Sequence, residues 1–250
     1  MNLNVSQASL LVHRLNEHIS QHKDIEVVLA PTMLSLQPIS LQIDHRKFKL
    51  SAQDAYYKDE GAYTGQVSFT MLKNLVKYSI IGHSERRHIF GESLDSVASK
   101  MAAAVRNNII PILCVGETKT EKLAGETNQV LHDQVETALA NLTTEDIENL
   151  VIAYEPVWAI GTGDIATPEQ ATAAAKVIRN EVRELYGNDA ASKLRILYGG
   201  SVKPEFVSGF LSSDQINGLL VGGASLNYKQ FADIISNTYK VAHNIRSKDD

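Results

Sequence analysis

One cysteine, Cys114, in a chain of 250 residues excludes an intramolecular disulfide and a thiolate metal cluster. It lies inside an apolar run, so a core role is expected for it rather than a nucleophilic one. Basic side chains are outnumbered by acidic ones, 24 to 29, and the net charge of −5 denies the chain the cationic footprint of a nucleic-acid binder. No apolar run approaches the roughly 18 residues of a membrane span, and the first residues hold neither a basic segment nor an apolar signal core. A soluble, cytoplasmic protein without a membrane partner is the expectation. The eight histidines are scattered and no pair at i, i+4 brackets a Glu, so no metal site is expected. GxGxxG, the mark of a dinucleotide site, is absent. No linker-like stretch divides the chain, which predicts a single domain over residues 1–250.

Hydrophobic residues make up 44% of the chain, ample for a packed core, and they fall into short runs that alternate with helical patterns. Asn4 is placed to cap a helix to about Gln21, with Leu10, Leu11, Leu15 and Ile19 on one face. Seven strands are predicted: Ile25 to Ala30, Phe48 to Gln53, Tyr78 to Gly82, Ile109 to Val115, Leu150 to Tyr154, Leu194 to Tyr198 and Ile216 to Val221. Between and after them come helical segments: a short one interrupted near Pro38, then Phe69 to Val76, Leu94 to Arg106, Thr127 to Ala140, Pro168 to Tyr186, a short one after Pro204 and a last from Tyr228. This alternation predicts an α/β fold with a parallel sheet and right-handed crossovers, open or closed. Polar or glycine residues recur at the strand exits: Gln53, His83 with Glu85, Gly116 with Glu117, Glu155, Gly199-Gly200-Ser201 and Gly222-Gly223. Convergence of so many exits favours a closed barrel with its site at that face.

The stretch around Glu155 is the most informative. Val151-Ile152-Ala153-Tyr154 reads as a buried strand, and Glu155, at its C-terminal end beside apolar neighbours, is a candidate general base. Trp158, Ile160 and the Gly161-Thr162-Gly163 tip then read as a mobile lid. Thr167-Pro168-Glu169-Gln170 starts the next helix with a capping box, which anchors the lid's far end.

His83 ends a strand just before a short helical turn. Backbone amides there disfavour an added positive charge, which predicts a depressed pKa and a neutral imidazole that donates to a carbonyl oxygen. The paired glycines Gly199-Gly200 and Gly222-Gly223 close two adjacent strands, and together they read as a phosphate cradle; each pair alone would read as a tight turn.

Four stretches in this order, Gly82-His83-Ser84-Glu85-Arg86-Arg87, Ala153 through Gly163, Tyr198-Gly199-Gly200-Ser201-Val202 and Val221 through Leu226, make the chain resemble the triosephosphate isomerase family over almost its whole length. The resemblance implies a (β/α)8 barrel of the TIM type that interconverts dihydroxyacetone phosphate and D-glyceraldehyde 3-phosphate without a cofactor. It gives Glu155 the proton transfer and His83 the polarisation of the carbonyl, and it has Gly161, Ser201, Gly222 and Gly223 hold phosphate through backbone amides. Glu85 would be a buried supporting carboxylate. It also implies a homodimer formed through the loop from Asp54 to Ser68, which contains Tyr63 and Thr64. Three departures stand out. Gln66 takes a position where the family usually has Glu, and Asp164-Ile165 replaces a basic residue and Thr beyond the lid. Family members also carry a first strand ending in Asn-x-Lys-Met-Asn, whereas this sequence opens at Met1-Asn2, so a barrel lacking its first strand and that Lys is expected, with open edges at Ile25 to Ala30 and Ile216 to Val221. The rival readings are another phosphosugar enzyme or an inactive barrel; a Schiff-base enzyme would need a Lys at a strand exit, and none of the exits named above has one.

Overall fold

A computed structural model gives the structure, which describes residues 1–20, 23–160 and 164–249. Asn4 caps helix α1 (Val5–His18), its side chain accepting from the Gln7 amide while Gln7 returns the bond in a capping box. Strand β1 (Val27–Leu29) follows, then α2 (Met33–Gln42), β2 (Phe48–Ala52), α3 (Phe69–Leu72), β3 (Tyr78–Ile81), α4 (Ser84–His88) and α5 (Leu94–Arg106). The second half runs β4 (Ile110–Val115), α6 (Lys119–Leu123), α7 (Thr127–Leu139), β5 (Val151–Tyr154), α8 (Pro168–Lys193), β6 (Arg195–Tyr198), α9 (Val207–Leu211), β7 (Gly218–Leu219) and α10 (Tyr228–Asp249).

All seven strands pair in parallel with their sequence neighbours, in the order β1 to β7. Alternation along each strand explains why the runs are continuously apolar. Ile112, Cys114, Val151 and Ala153 pack into an inner cluster with Tyr78 and Ile80, while Leu113, Val115, Ile152 and Tyr154 join the outer core under the helices. Both faces are apolar and buried, as in a parallel sheet covered by crossover helices. The same period of two continues past Val151 and Ala153 to put Glu155 on the inner face. Cys114 is buried, and burial holds its thiol well above the ordinary thiol range, in keeping with a core residue.

Several local expectations are corrected. On α1 the buried face is Ala8, Val12 and Leu15, continuing to Ile19 beyond the helix, and Leu10 is 51% exposed, because the stripe that meets α2 and α10 advances by four and three residues. Helix α2 continues through Pro38; the carbonyl it leaves without a donor belongs to Leu34, an exposed residue that water can reach. Helix α3 stops at Leu72, and Asn74 turns the chain with φ 66°, a left-handed conformation that asparagine tolerates. The helix from Pro168 runs past Tyr186 to Lys193, with a break at Gly187 (φ 88°). Strand β7 is only two residues long.

β1 pairs with β2 and β7 with β6; among the described residues neither edge has a second partner, so the expected pair of open edges is present. A cavity of about 1860 Å³ is lined by Val28, Ile80, Ile112, Val151 and Leu219 and reaches as far as His83 and Glu155. Among the described residues no helix is long and apolar enough to cross a membrane.

Candidate active site

Glu155 arrives at the end of β5 with 1% exposure. Its backbone amide donates to Val115 O at 2.7 Å, continuing the ladder one residue beyond the strand. Space for this is made by Gly116, where an added Cβ would lie 1.7 Å from the Glu155 carbonyl oxygen, and by Gly199, where one would lie 3.1 Å from Glu155 Cγ. The carboxylate is held on one side only. Its Oε2 accepts from the Ser84 amide at 2.9 Å, at the first residue of α4, where helix amides favour an anion. Its Oε1 lies 2.8 Å from His83 Nε2, but off the line of a hydrogen bond, and among the described residues it accepts no hydrogen bond. A buried carboxylate oxygen without an aligned donor is uncommon, and Glu155 is one of the residues that line the cavity.

His83 is the cap of α4, and its Nδ1 accepts from the Glu85 amide at 3.3 Å, which leaves the hydrogen of a neutral ring on Nε2. The expected depression of its pKa is not found. Burial, the largest influence, does lower it, but the contact with Glu155 and its negative charge outweigh burial and raise the pKa above the ordinary imidazole range. The helix-terminus expectation left out a carboxylate at 2.8 Å. An oxygen that takes up the Nε2 hydrogen and separates the two side chains would weaken the largest raising influence, and burial, the Glu85 amide and the Arg87 charge then favour the neutral ring against the remaining charge of Glu85.

Glu85 is not buried: its side chain is 67% exposed and its carboxylate lies 3.9 Å from His83 Nδ1. Ser84 takes the inward position of that first turn, and Glu85 gives His83 its backbone N–H and a negative charge that adds to the upward push on the imidazole pKa. The two glycine pairs separate on packing. At Gly200 a Cβ would lie 2.2 Å from Tyr198 Oη, so packing alone demands glycine, whereas at Gly222 and Gly223 a Cβ would meet nothing within 4 Å. Local packing gives no reason for the second pair, which favours a ligand there. Gly223 opens a 3-10 turn to Leu226, and among the described residues the amides of Ser201, Gly222 and Gly223 donate to no backbone carbonyl. Gly161, with the tip of the lid, lies outside the described residues.

Two groups were missed as participants. The Ser84 amide was hidden because backbone donors have no residue-type signal. Glu117, read only as a polar strand exit, is 2% exposed; it accepts from Tyr154 Oη at 3.0 Å and from Trp158 Nε1 at 2.8 Å, and so ties the near end of the lid to β4. The far end is anchored by the predicted capping box of Thr167 with Gln170. Of the departures, Gln66 is exposed, and its amide closes a turn onto Tyr63 O; Ile165 is 38% exposed.

A profile of the family described as triosephosphate isomerase matches residues 1–238. Triosephosphate isomerase of Thermoanaerobacter pseudethanolicus is 44% identical over 237 residues, covering 94% of this chain and 95% of its own length. That of Caldanaerobacter subterraneus subsp. tengcongensis is 45% identical over 232 residues, with 92% and 93% covered. That of Clostridium tetani is 44% identical over 237 residues, with 94% and 92% covered. With a parallel (β/α) barrel architecture, a Glu and a His facing one cavity, and similarity along nearly the full length, the chain belongs to the triosephosphate isomerase family.

Proposed function

We propose that this protein interconverts dihydroxyacetone phosphate and D-glyceraldehyde 3-phosphate through Glu155 and His83. Glu155 takes a proton from the carbon next to the carbonyl, and the electron pair moves toward the carbonyl oxygen to give an enediolate. His83 Nε2–H donates a hydrogen bond to that oxygen as charge develops on it. The hydroxyl proton passes from its own oxygen to that one, a transfer that His83 Nε2 stands between, and the protonated Glu155 returns its proton to the neighbouring carbon, so carbonyl and hydroxyl exchange places. The sequence is proton-neutral and calls for no electron carrier. One observation carries the reading: a buried carboxylate oxygen with no aligned donor stands 2.8 Å from an imidazole nitrogen at a cavity. The phosphate is held by the amides of Gly161, Ser201, Gly222 and Gly223. A non-isomerisable three-carbon phosphate ester titrated into 15N-labelled protein is expected to shift the Ser201, Gly222 and Gly223 amides together; unchanged amides there would overturn the cradle.

We further place the protein in the cytoplasm as a single domain, working as a homodimer. One hydrophobic cluster extends from Ala8 to Ile235, which supports the single domain. The dimer reading is supported by the Asp54–Ser68 loop. Tyr56 packs at a tilt against Tyr57 and Tyr63 with ring centroids 4.4 and 4.8 Å apart, which stiffens the loop, and its tip holds Thr64 out in solvent. Met71, Ile89 and Phe90 are 68%, 71% and 69% exposed, large apolar groups of the kind an interface covers. Sedimentation at micromolar concentration is expected to give twice the 27.5 kDa chain mass, and Thr64→Arg to shift the protein toward monomer; a monomeric parent would overturn the reading.

A further inference from the structure

Behind His83 lies a ring of four charges that the chemistry proposed above does not use. Lys100 on α5 is 2% exposed, an uncommon state for lysine. Its Nζ contacts Asp54 Oδ1 at 2.7 Å and also Glu92 Oε1. Arg86 Nε contacts the other oxygen of each acid, Asp54 Oδ2 at 3.0 Å and Glu92 Oε2 at 3.1 Å. Each carboxylate thus bridges both cations, and the four formal charges cancel. The ring joins three separate pieces of chain. Asp54 follows the exit of β2 and begins the Asp54–Ser68 loop, Arg86 is on α4 three residues after His83, and Glu92 stands just before the cap of α5, the helix that carries Lys100. The acids are poorly solvated: burial is the largest influence on Asp54 and raises its pKa above the ordinary carboxylate range despite Lys100 and Arg86.

We propose that Lys100 is a positioning residue for His83: by neutralising Asp54 and Glu92 it lets Arg86 dock between them, which fixes α4 and with it the approach of His83 to Glu155. Helix α4 is only five residues long and cannot hold its own orientation. Its inner side is fixed by two short bonds, Ser84 N to Glu155 Oε2 at 2.9 Å and Arg87 Nε to Gly82 O at 2.8 Å. Its outer side is held by the ring. Removing one cation leaves two buried carboxylates to compete for Arg86, which must turn toward one of them and carries α4 along. The inference rests on the reading of His83 and Glu155 as the reacting pair.

Lys100→Met keeps the length of the side chain and removes its charge. The expected result is a fall in kcat of about tenfold to a hundredfold, the scale of a displacement on the order of 1 Å at a reacting group, with KM changed much less. The histidine 15N signals of His83 are expected to titrate at lower pH than in the parent, since its pKa is held up by Glu155. Asp54→Asn unbalances the ring in the opposite sense and is expected to disturb the same signals. The double variant, neutral again, is expected to recover toward the parent in both readouts, and Lys100→Arg to recover most. Should Lys100→Met fail to fold, Asp54→Asn and the double variant carry the comparison. A lower melting temperature with parental kcat and parental His83 titration would make the ring purely structural and overturn the proposal. A His83 titration that moves while turnover does not would instead keep the positioning and remove His83 from the chemistry.

Discussion

Glu155→Gln is expected to lower kcat by about 10³- to 10⁴-fold while leaving the affinity for a phosphate-bearing ligand nearly unchanged. The amide preserves the size of the side chain and can still accept from the Ser84 amide, which holds Oε2 at 2.9 Å in the parent, so the packing around Gly116 and Gly199 survives. It cannot accept the substrate proton. The cradle amides of Ser201, Gly222 and Gly223 follow other strands and should not register the change. A second readout follows from the 2.8 Å contact with His83. The His83 pKa stands above the ordinary imidazole value because the Glu155 contact and charge outweigh burial; with both reduced, burial is left to lower it, so the imidazolium should be lost at lower pH in the variant than in the parent. Steady-state kinetics with a histidine titration tests both. A variant that keeps a tenth of the parental rate would remove Glu155 from the role of base.

Gly116→Ala is expected to damage stability and catalysis together. A Cβ at this position would stand 1.7 Å from the carbonyl oxygen of Glu155 and 2.6 Å from its carbonyl carbon, and the obstacle is backbone, which no side-chain rotation relieves. Either β4 or β5 must move at its exit. That move costs at least about 3 kcal/mol, the upper range for overpacking a core, because the Glu155 amide bond to Val115 O is pulled apart as well. It also displaces the base itself. Denaturant melts are expected to show the loss of stability and turnover to fall by at least the hundredfold of an on the order of 1 Å misplacement. Gly223→Ala is the contrast: a Cβ there meets nothing within 4 Å, so stability should stay near the parent while ligand affinity drops. Equal melts for Gly116→Ala and the parent would mean that the two strand exits are not held as close as described.

The strands, their parallel pairing and the position of Glu155 and His83 at strand exits were legible in the sequence, since a strand covered on both faces writes a run of four or five neighbouring apolar positions. Val151 to Tyr154 is read correctly for that reason, and so are the caps at Asn4 and Thr167, where a side chain bonds an amide three residues away. What the sequence could not decide was distance between segments. The raised His83 pKa depends on a carboxylate 72 positions further along the chain, and the exposure of Glu85 on which residue of the α4 turn faces inward. Both follow from how β3 and β5 are set around the same cavity. The Gly199-Gly200 and Gly222-Gly223 pairs look alike in sequence, and only the surrounding atoms separate a glycine forced by Tyr198 from one left free beside open space. The ring of Asp54, Arg86, Glu92 and Lys100 is invisible for the same reason. Local patterns determine which residues form strands and helices, because their forces act within a few residues; electrostatics and close packing act through space, so their outcome is fixed only when the barrel brings distant exits together.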